Sequence, residues 1–196
     1  MENCEHAKTT RKKISKECLG DTFETRTSVC SECGAELWDE AAQKAFAVWL
    51  AKLDKGKRDR FILQFSLTKN TLRCLDRMIG EFPGSDRAKV LRAMVMFFVE
   101  RVAPRQEWSD LVEKIVDRDL YQDLLKGSRE IVKVHFNPFA MLDIESWAKI
   151  AEQKPRELAE SAAVRIFAFY IENDPVMHRF WEENIRPEIS LILKAA

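Results

Sequence analysis

No stretch of this 196-residue chain approaches the roughly 20 consecutive apolar residues that a bilayer span needs. Its first segment, Met1 to Ile14, is polar and basic and lacks the apolar core of a secretory signal. These two absences lead us to expect a soluble, cytoplasmic protein with no membrane contact. Catalytic signatures are missing as well. There is no G-x-G-x-x-G, no phosphate loop, no G-x-S-x-G and no H-E-x-x-H, and histidine occurs only three times. Carboxylate pairs such as Glu182-Glu183 fall on expected exposed helix faces, and Cys74 falls inside a helical stripe where packing accounts for it. The expectation is a protein that is not an enzyme.

What is present is an ordinary globular composition, 46% hydrophobic and 33% charged, enough for one large domain or two to three small ones. The net charge of zero hides an asymmetry. Asp54 to Arg105 carries 12 Lys and Arg against 6 Asp and Glu, a local excess of +6 that the acidic flanks offset. A polyanion would meet this middle segment. Four of the five cysteines lie in the first 33 residues (Cys4, Cys18, Cys30, Cys33). Thiols clustered this way without a secretory signal point to metal rather than disulfides.

Periodicity divides the chain into four blocks, 1–53, 54–105, 106–128 and 129–196, and predicts a mainly α fold with short β-strands. The first block ends in a helix, Ala41 to Leu53, with Ala42, Phe46, Trp49, Leu50 and Leu53 at helical spacing. In the second, Phe61, Leu63, Phe65 and Leu67 alternate with Ile62, Gln64 and Ser66, the period of a strand with one buried face. A helix follows from Thr68 to Glu81, Phe82-Pro83-Gly84 ends it, and a second helix capped by Ser85 runs to about Val102. The third block reads as one amphipathic connector helix, Gln106 to Lys126, stopped by Gly127. The fourth repeats the order of the second, with a strand from Ile131 to Phe136 and helices at Pro138 to Gln153 and Pro155 to Asn173. One or two packing helices follow from Pro175. An internal duplication and a plain helical domain both fit this order.

Cys4, His6, Cys30 and Cys33 supply three thiolates and an imidazole, a set that suits tetrahedral, structural Zn2+. Two thiolates of a C-x-x-C converge on one ion from a single tight turn, and Gly34 relaxes the backbone just after it. Cys18 competes for the fourth place. Few large apolar residues lie between Met1 and Leu37, so a metal would have to supply the stabilisation that burial cannot. The stretch RTSVCSECGAELWDEAAQKAFAVWL (Arg26 to Leu50) resembles the zinc-binding N-terminal domain of the MqsA/YgiT antitoxin class, with Cys4-x-His6 standing where that class has a first C-x-x-C.

The pattern FILQFSLTKNTLRCLDRMIGEFPGSDRAKVLRAMVMFFVE (Phe61 to Glu100) resembles the ribbon-helix-helix family of the Arc and MetJ repressors. That resemblance implies two strands paired as an antiparallel ribbon in a DNA major groove, with outward side chains on base edges. The readers it implies are Ile62, Gln64 and Ser66, with Ser85 and Arg87 at a helix N-terminus for phosphate, and Arg58, Arg60 and Lys69 adding unspecific attraction. In the fourth block the same phase puts Ile131, Lys133 and His135 outward, so Lys133 and His135 join the DNA-contacting set. The two strands could pair within one chain or each with its counterpart in a second chain. The expectation is therefore a sequence-specific binder of double-stranded DNA, as a homodimer or higher homo-oligomer. Repressor, antitoxin and mobile-element accessory factor are the roles that fit. The alternative is a zinc-containing adaptor that contacts a protein partner and no DNA.

Overall fold

The structure is a computed structural model in which Cys4, residues 6–56 and residues 61–195 are described. The chain forms two compact units, one of residues up to Phe61 together with Asn137–Leu142, the other of Ile62–Phe136 with Asp143–Ala196. Secondary structure is mainly helical with two small antiparallel sheets. Among the described residues no helix is long and apolar enough to cross a membrane.

The first unit is built on a long hairpin, β1 (Thr9–Cys18) and β2 (Asp21–Cys30), paired in register from Thr9↔Cys30 to Cys18↔Asp21. Leu19 and Gly20 join the strands, both with positive φ (53° and 78°), the two-residue turn whose twist matches that of the strands. Threonines at 9, 10, 22, 25 and 27 suit the extended backbone. A short strand, β3 (Glu36–Leu37), adds to β2, and the Thr27 hydroxyl donates to the Leu37 carbonyl. Helix α1 (Glu40–Gly56) begins where the Asp39 carboxylate accepts from the Ala42 N–H at 2.7 Å. Its inner face closes an aromatic cluster. Phe46 lies 5.3 Å from Phe23 of β2, 5.1 Å from Trp38 and 5.5 Å from Trp49 between ring centroids. The sequence predicts the helix and not the hairpin, because neither strand alternates apolar with polar residues.

The second unit joins β4 (Ile62–Thr68) to β5 (Arg129–His135) in an antiparallel ribbon formed within one chain. Helices α2 (Lys69–Ile79) and α3 (Arg87–Phe97) follow β4; α6 (Pro138–Ile150), whose start up to Leu142 belongs to the first unit, and α7 (Pro155–Ile171) follow β5. The two segments that periodicity divides as 54–105 and 129–196 thus contribute one strand each to the same sheet. Packing crosses between them, since α3 lies against β5, α7 against β4, and α3 against α7. Alanines 159, 162 and 163 on α7 are fully or nearly fully buried, and such small side chains let neighbouring backbones approach closely. The strand-to-helix junctions repeat. Thr68 accepts from the Thr71 N–H at 3.1 Å and Asn137 from the Ala140 N–H at 2.8 Å, each side chain capping the helix after its strand. The interval from that cap to the cap of the next helix, Thr68 to Asp86 and Asn137 to Lys154, differs by one residue. Helices α8 (Pro175–Phe180) and α9 (Arg186–Ala195), linked by a π turn, complete the unit.

Two expectations are corrected. Gln106 to Lys126 is not one connector helix but α4 (Gln106–Lys114), a 3₁₀ turn and α5 (Asp119–Leu124), with Arg118 extended between them. An unbroken helix burying Val112 and Ile115 would next turn Asp119 and Gln122 inward. The break resets the phase so that Tyr121 and Leu124 are buried instead. The cap of α3 is Asp86, which accepts from the Lys89 N–H at 2.8 Å, and not Ser85, which sits one residue outside.

Candidate functional site

The hairpin of the first unit brings its open end, Thr9 opposite Cys30, to the place where the chain enters from Cys4 and His6. Beyond Cys30 the backbone folds into a tight turn. Gly34 N–H donates to the Cys30 carbonyl at 3.0 Å, Cys30 N–H to the Ala35 carbonyl at 2.9 Å, and Gly34 takes φ 75°, a conformation that glycine adopts without a Cβ clash. This turn aims Cys30 and Cys33 at one point. Ser31 ties it to the incoming segment by donating from its N–H to the Lys8 carbonyl at 2.9 Å.

The ligand atoms of Cys4, His6, Cys30 and Cys33 all lie within 4.8 Å of one another, close enough to hold a metal ion. Cys4 Sγ is 3.6 Å from Cys30 Sγ, and Cys33 Sγ is 3.4 Å from His6 Nδ1. Tetrahedral zinc, with Zn–S near 2.3 Å and Zn–N near 2.1 Å, spaces its ligand atoms about 3.5 to 3.8 Å apart. The residues present fit that ion. Their electrostatics point the same way. Backbone N–H of Cys33 and the His6 side chain bring the Cys30 thiol down to about 6. The His6 backbone N–H also favours the Cys4 thiolate, but the neighbouring Cys30 and Cys33 outweigh it and push Cys4 up to about 11. A cation at this point would favour the thiolate forms of Cys4 and Cys30 together. Cys18 stands at the opposite end of the ten-residue strand, buried beside the turn, and takes no place in the cluster.

In the second unit the ribbon has two unlike faces. Phe65, Leu67 and Val134 point inward and are buried. The other face carries Ile62 opposite His135, Gln64 opposite Lys133 and Ser66 opposite Ile131. Gln64 and Lys133 are exposed side by side, and Ile131 is 65% exposed. Ile62 and Ser66 are half-buried. His135 is half-buried too, its Nε2 shielded from solvent and without a hydrogen-bond partner among the described residues, so it does not present that nitrogen outward.

The remaining sequence-derived contacts are spread around this face. Lys69 is exposed in the first turn of α2. Ser85 is half-buried, and its N–H donates to the Phe82 carbonyl. Arg87 is engaged by a neighbouring carboxylate at the surface, its Nε and Nη2 donating to both oxygens of Asp76 at 2.7 and 2.6 Å. That fork holds the Asp76 carboxyl below its usual range. Arg58 and Arg60 lie outside the described residues. Two residues were not anticipated. Glu160 of α7 accepts from the Ser66 N–H at 2.8 Å, and Arg129 donates to the Ser66 carbonyl at 3.3 Å while lying 3.6 Å from Glu160. Together they satisfy the backbone of Ser66 and fix its place on the ribbon. No sequence signal links positions 66 and 160; only the crossing of α7 over β4 does.

No protein-family model matches the chain, and no curated protein or solved structure matches it significantly.

Proposed function

We propose that the chain is a sequence-specific DNA-binding regulator, with a zinc ion as a structural staple for its first unit and the β4–β5 ribbon as its reading element. One observation carries this reading. A two-stranded ribbon whose apolar face is sealed by helices leaves Gln64 and Lys133 exposed side by side on the other face. A major groove admits such a ribbon. An amide there can bond the adenine N6 and N7, and an ammonium the guanine O6 and N7. Ile131 supplies an apolar surface of the kind that meets a thymine methyl. The order strand, helix, helix, twice over, agrees with the ribbon-helix-helix resemblance. The four-ligand cluster agrees with the zinc-domain resemblance, and its closed set of three thiols and an imidazole favours a structural ion over a catalytic one.

Exposed apolar side chains favour a second reading. Ile150 is 70%, Val176 66% and Leu191 60% exposed, and a protein partner would cover them in an adaptor that binds no DNA. A salt titration of the full chain against a random pool of duplexes separates the two. The regulator binds duplex at about 50 mM salt and weakens steeply by about 200 mM, as phosphate contacts require. Absence of binding to any duplex at the lower salt leaves the adaptor.

A further inference from the structure

The ribbon is complete within one chain, and its two strands are chemically different. From these two facts we infer that a single chain reads an asymmetric, non-palindromic duplex site. The inference rests on the DNA-binding reading above and goes beyond it by naming the class of site and the number of chains that read it.

Residue pairs across the ribbon follow one register, Ile62↔His135, Gln64↔Lys133 and Ser66↔Ile131. A two-fold axis through the central pair exchanges position 62 with 131, 64 with 133 and 66 with 135. In a ribbon made by two copies of one strand, each of these exchanges would bring a residue onto its own kind, and the bases contacted would read the same on both strands. Here only the outer isoleucines, Ile62 and Ile131, are matched. The central exchange sets a glutamine against a lysine, and the third sets Ser66 against His135. Gln64 presents a donor and an acceptor, the complement of adenine. Lys133 presents donors only, the complement of the two acceptors of guanine. The two halves of the contacted duplex must then differ in sequence.

Exposure strengthens the asymmetry. Ile131 stands 65% exposed while Ile62 is half-buried, and Ser66 is clamped through its backbone by Glu160 and Arg129. The flanking helix starts differ as well. On α3 the first helical residue is Arg87, with its N–H present and its side chain turned to Asp76; on α7 it is Pro155, which has no N–H to offer. Pairing between two chains is not needed to complete the ribbon, because β4 already has β5 as its partner and the crossed packing of α3 and α7 holds the two together.

The test is selection of the full chain against a randomised duplex library, with the mass of the complex on the enriched duplex measured by light scattering. The expected result is a non-palindromic motif bound by one chain per site. Gln64→Ala should flatten preference at one base pair, and Lys133→Ala at a different one in the other half. Lys133→Gln makes the central pair alike, and the enriched motif should become more symmetric at those two positions. A palindromic motif occupied by two chains would overturn the inference while leaving DNA binding intact. Enrichment of no duplex at all would remove the DNA reading and the inference with it.

Discussion

The two units solve the stability problem by different means. In the first, the long hairpin exposes polar side chains on much of both faces, and its aromatic cluster of Phe23, Trp38, Phe46 and Trp49 is only partly buried. In the second, Phe65, Phe97, Phe136, Phe167, Phe169 and Trp181 are all fully or almost fully buried. A small unit that buries little apolar surface would gain most from an ion held by its ligand cluster. A larger one with a filled core would not. The Cys4, His6, Cys30 and Cys33 cluster belongs to the first unit and the β4–β5 ribbon to the second, so the two can be perturbed separately.

Removing metal should strain this contrast most. Chelation, or Cys30→Ser, should unfold the first unit, since structural zinc in small modules is worth on the order of 10–16 kcal/mol of apparent binding energy. Near-ultraviolet circular dichroism of the Trp38 and Trp49 cluster should collapse while the helical far-ultraviolet signal persists. Loss of both signals together would show that the units are not independent. Next comes Phe65→Ala. Phe65 is fully buried on the inner face of β4, and its truncation should cost the second unit about 3–5 kcal/mol in a denaturant titration, with metal content unchanged. Gln64→Ala, one residue away but on the opposite face, should leave stability within about 0.5 kcal/mol. It should remove about 1–3 kcal/mol of discrimination at one base pair. Equal losses on selected and random duplexes would withdraw Gln64 as a reader.

The smallest effect concerns the Asp76 and Arg87 fork. Arg87 depresses the Asp76 carboxyl, so the stabilisation is present above the ordinary carboxylate range near pH 4 and is lost as pH falls through the lower folded value. Both side chains are more than a third exposed (47% and 40%), so solvent screening should keep the loss below about 1 kcal/mol. Asp76→Asn should nearly abolish that acid dependence. The same substitution releases Arg87 at the start of α3 and should tighten binding to every duplex alike, steepening the salt dependence. Unchanged affinity would mean that Arg87 faces no phosphate.

Much of the second unit was legible in the sequence because burial leaves a period. Phe61 to Leu67 alternates as a half-buried strand must, Leu72, Leu75 and Met78 recur at helical spacing, and Val164 to Ile171 is apolar almost all round, as befits a central helix. The cluster of Cys4, His6, Cys30 and Cys33 was legible from residue type alone, since thiols and imidazole at this spacing suit a metal ion. The β1–β2 hairpin was not. Arg11, Lys12, Lys13 and Lys16 follow one another without an apolar phase, and only the threonines and Gly20 hint at strands and a turn. The break at Arg118 was hidden because Trp108, Leu111, Ile115 and Leu120 mimic one continuous stripe. The partner of β4 is open in the sequence for a different reason. Its partner lies more than sixty residues away, and no local pattern chooses between a strand of the same chain and one of another.

Site-specific photocrosslinking puts the central claim under the most direct strain. Gln64, replaced by p-benzoylphenylalanine in the otherwise intact chain, should form an adduct with duplex DNA on irradiation at low salt, and so should the same replacement at Lys133. Val48, an exposed residue of α1, should form none. Duplex captured from position 48 but from neither ribbon position would contradict the account.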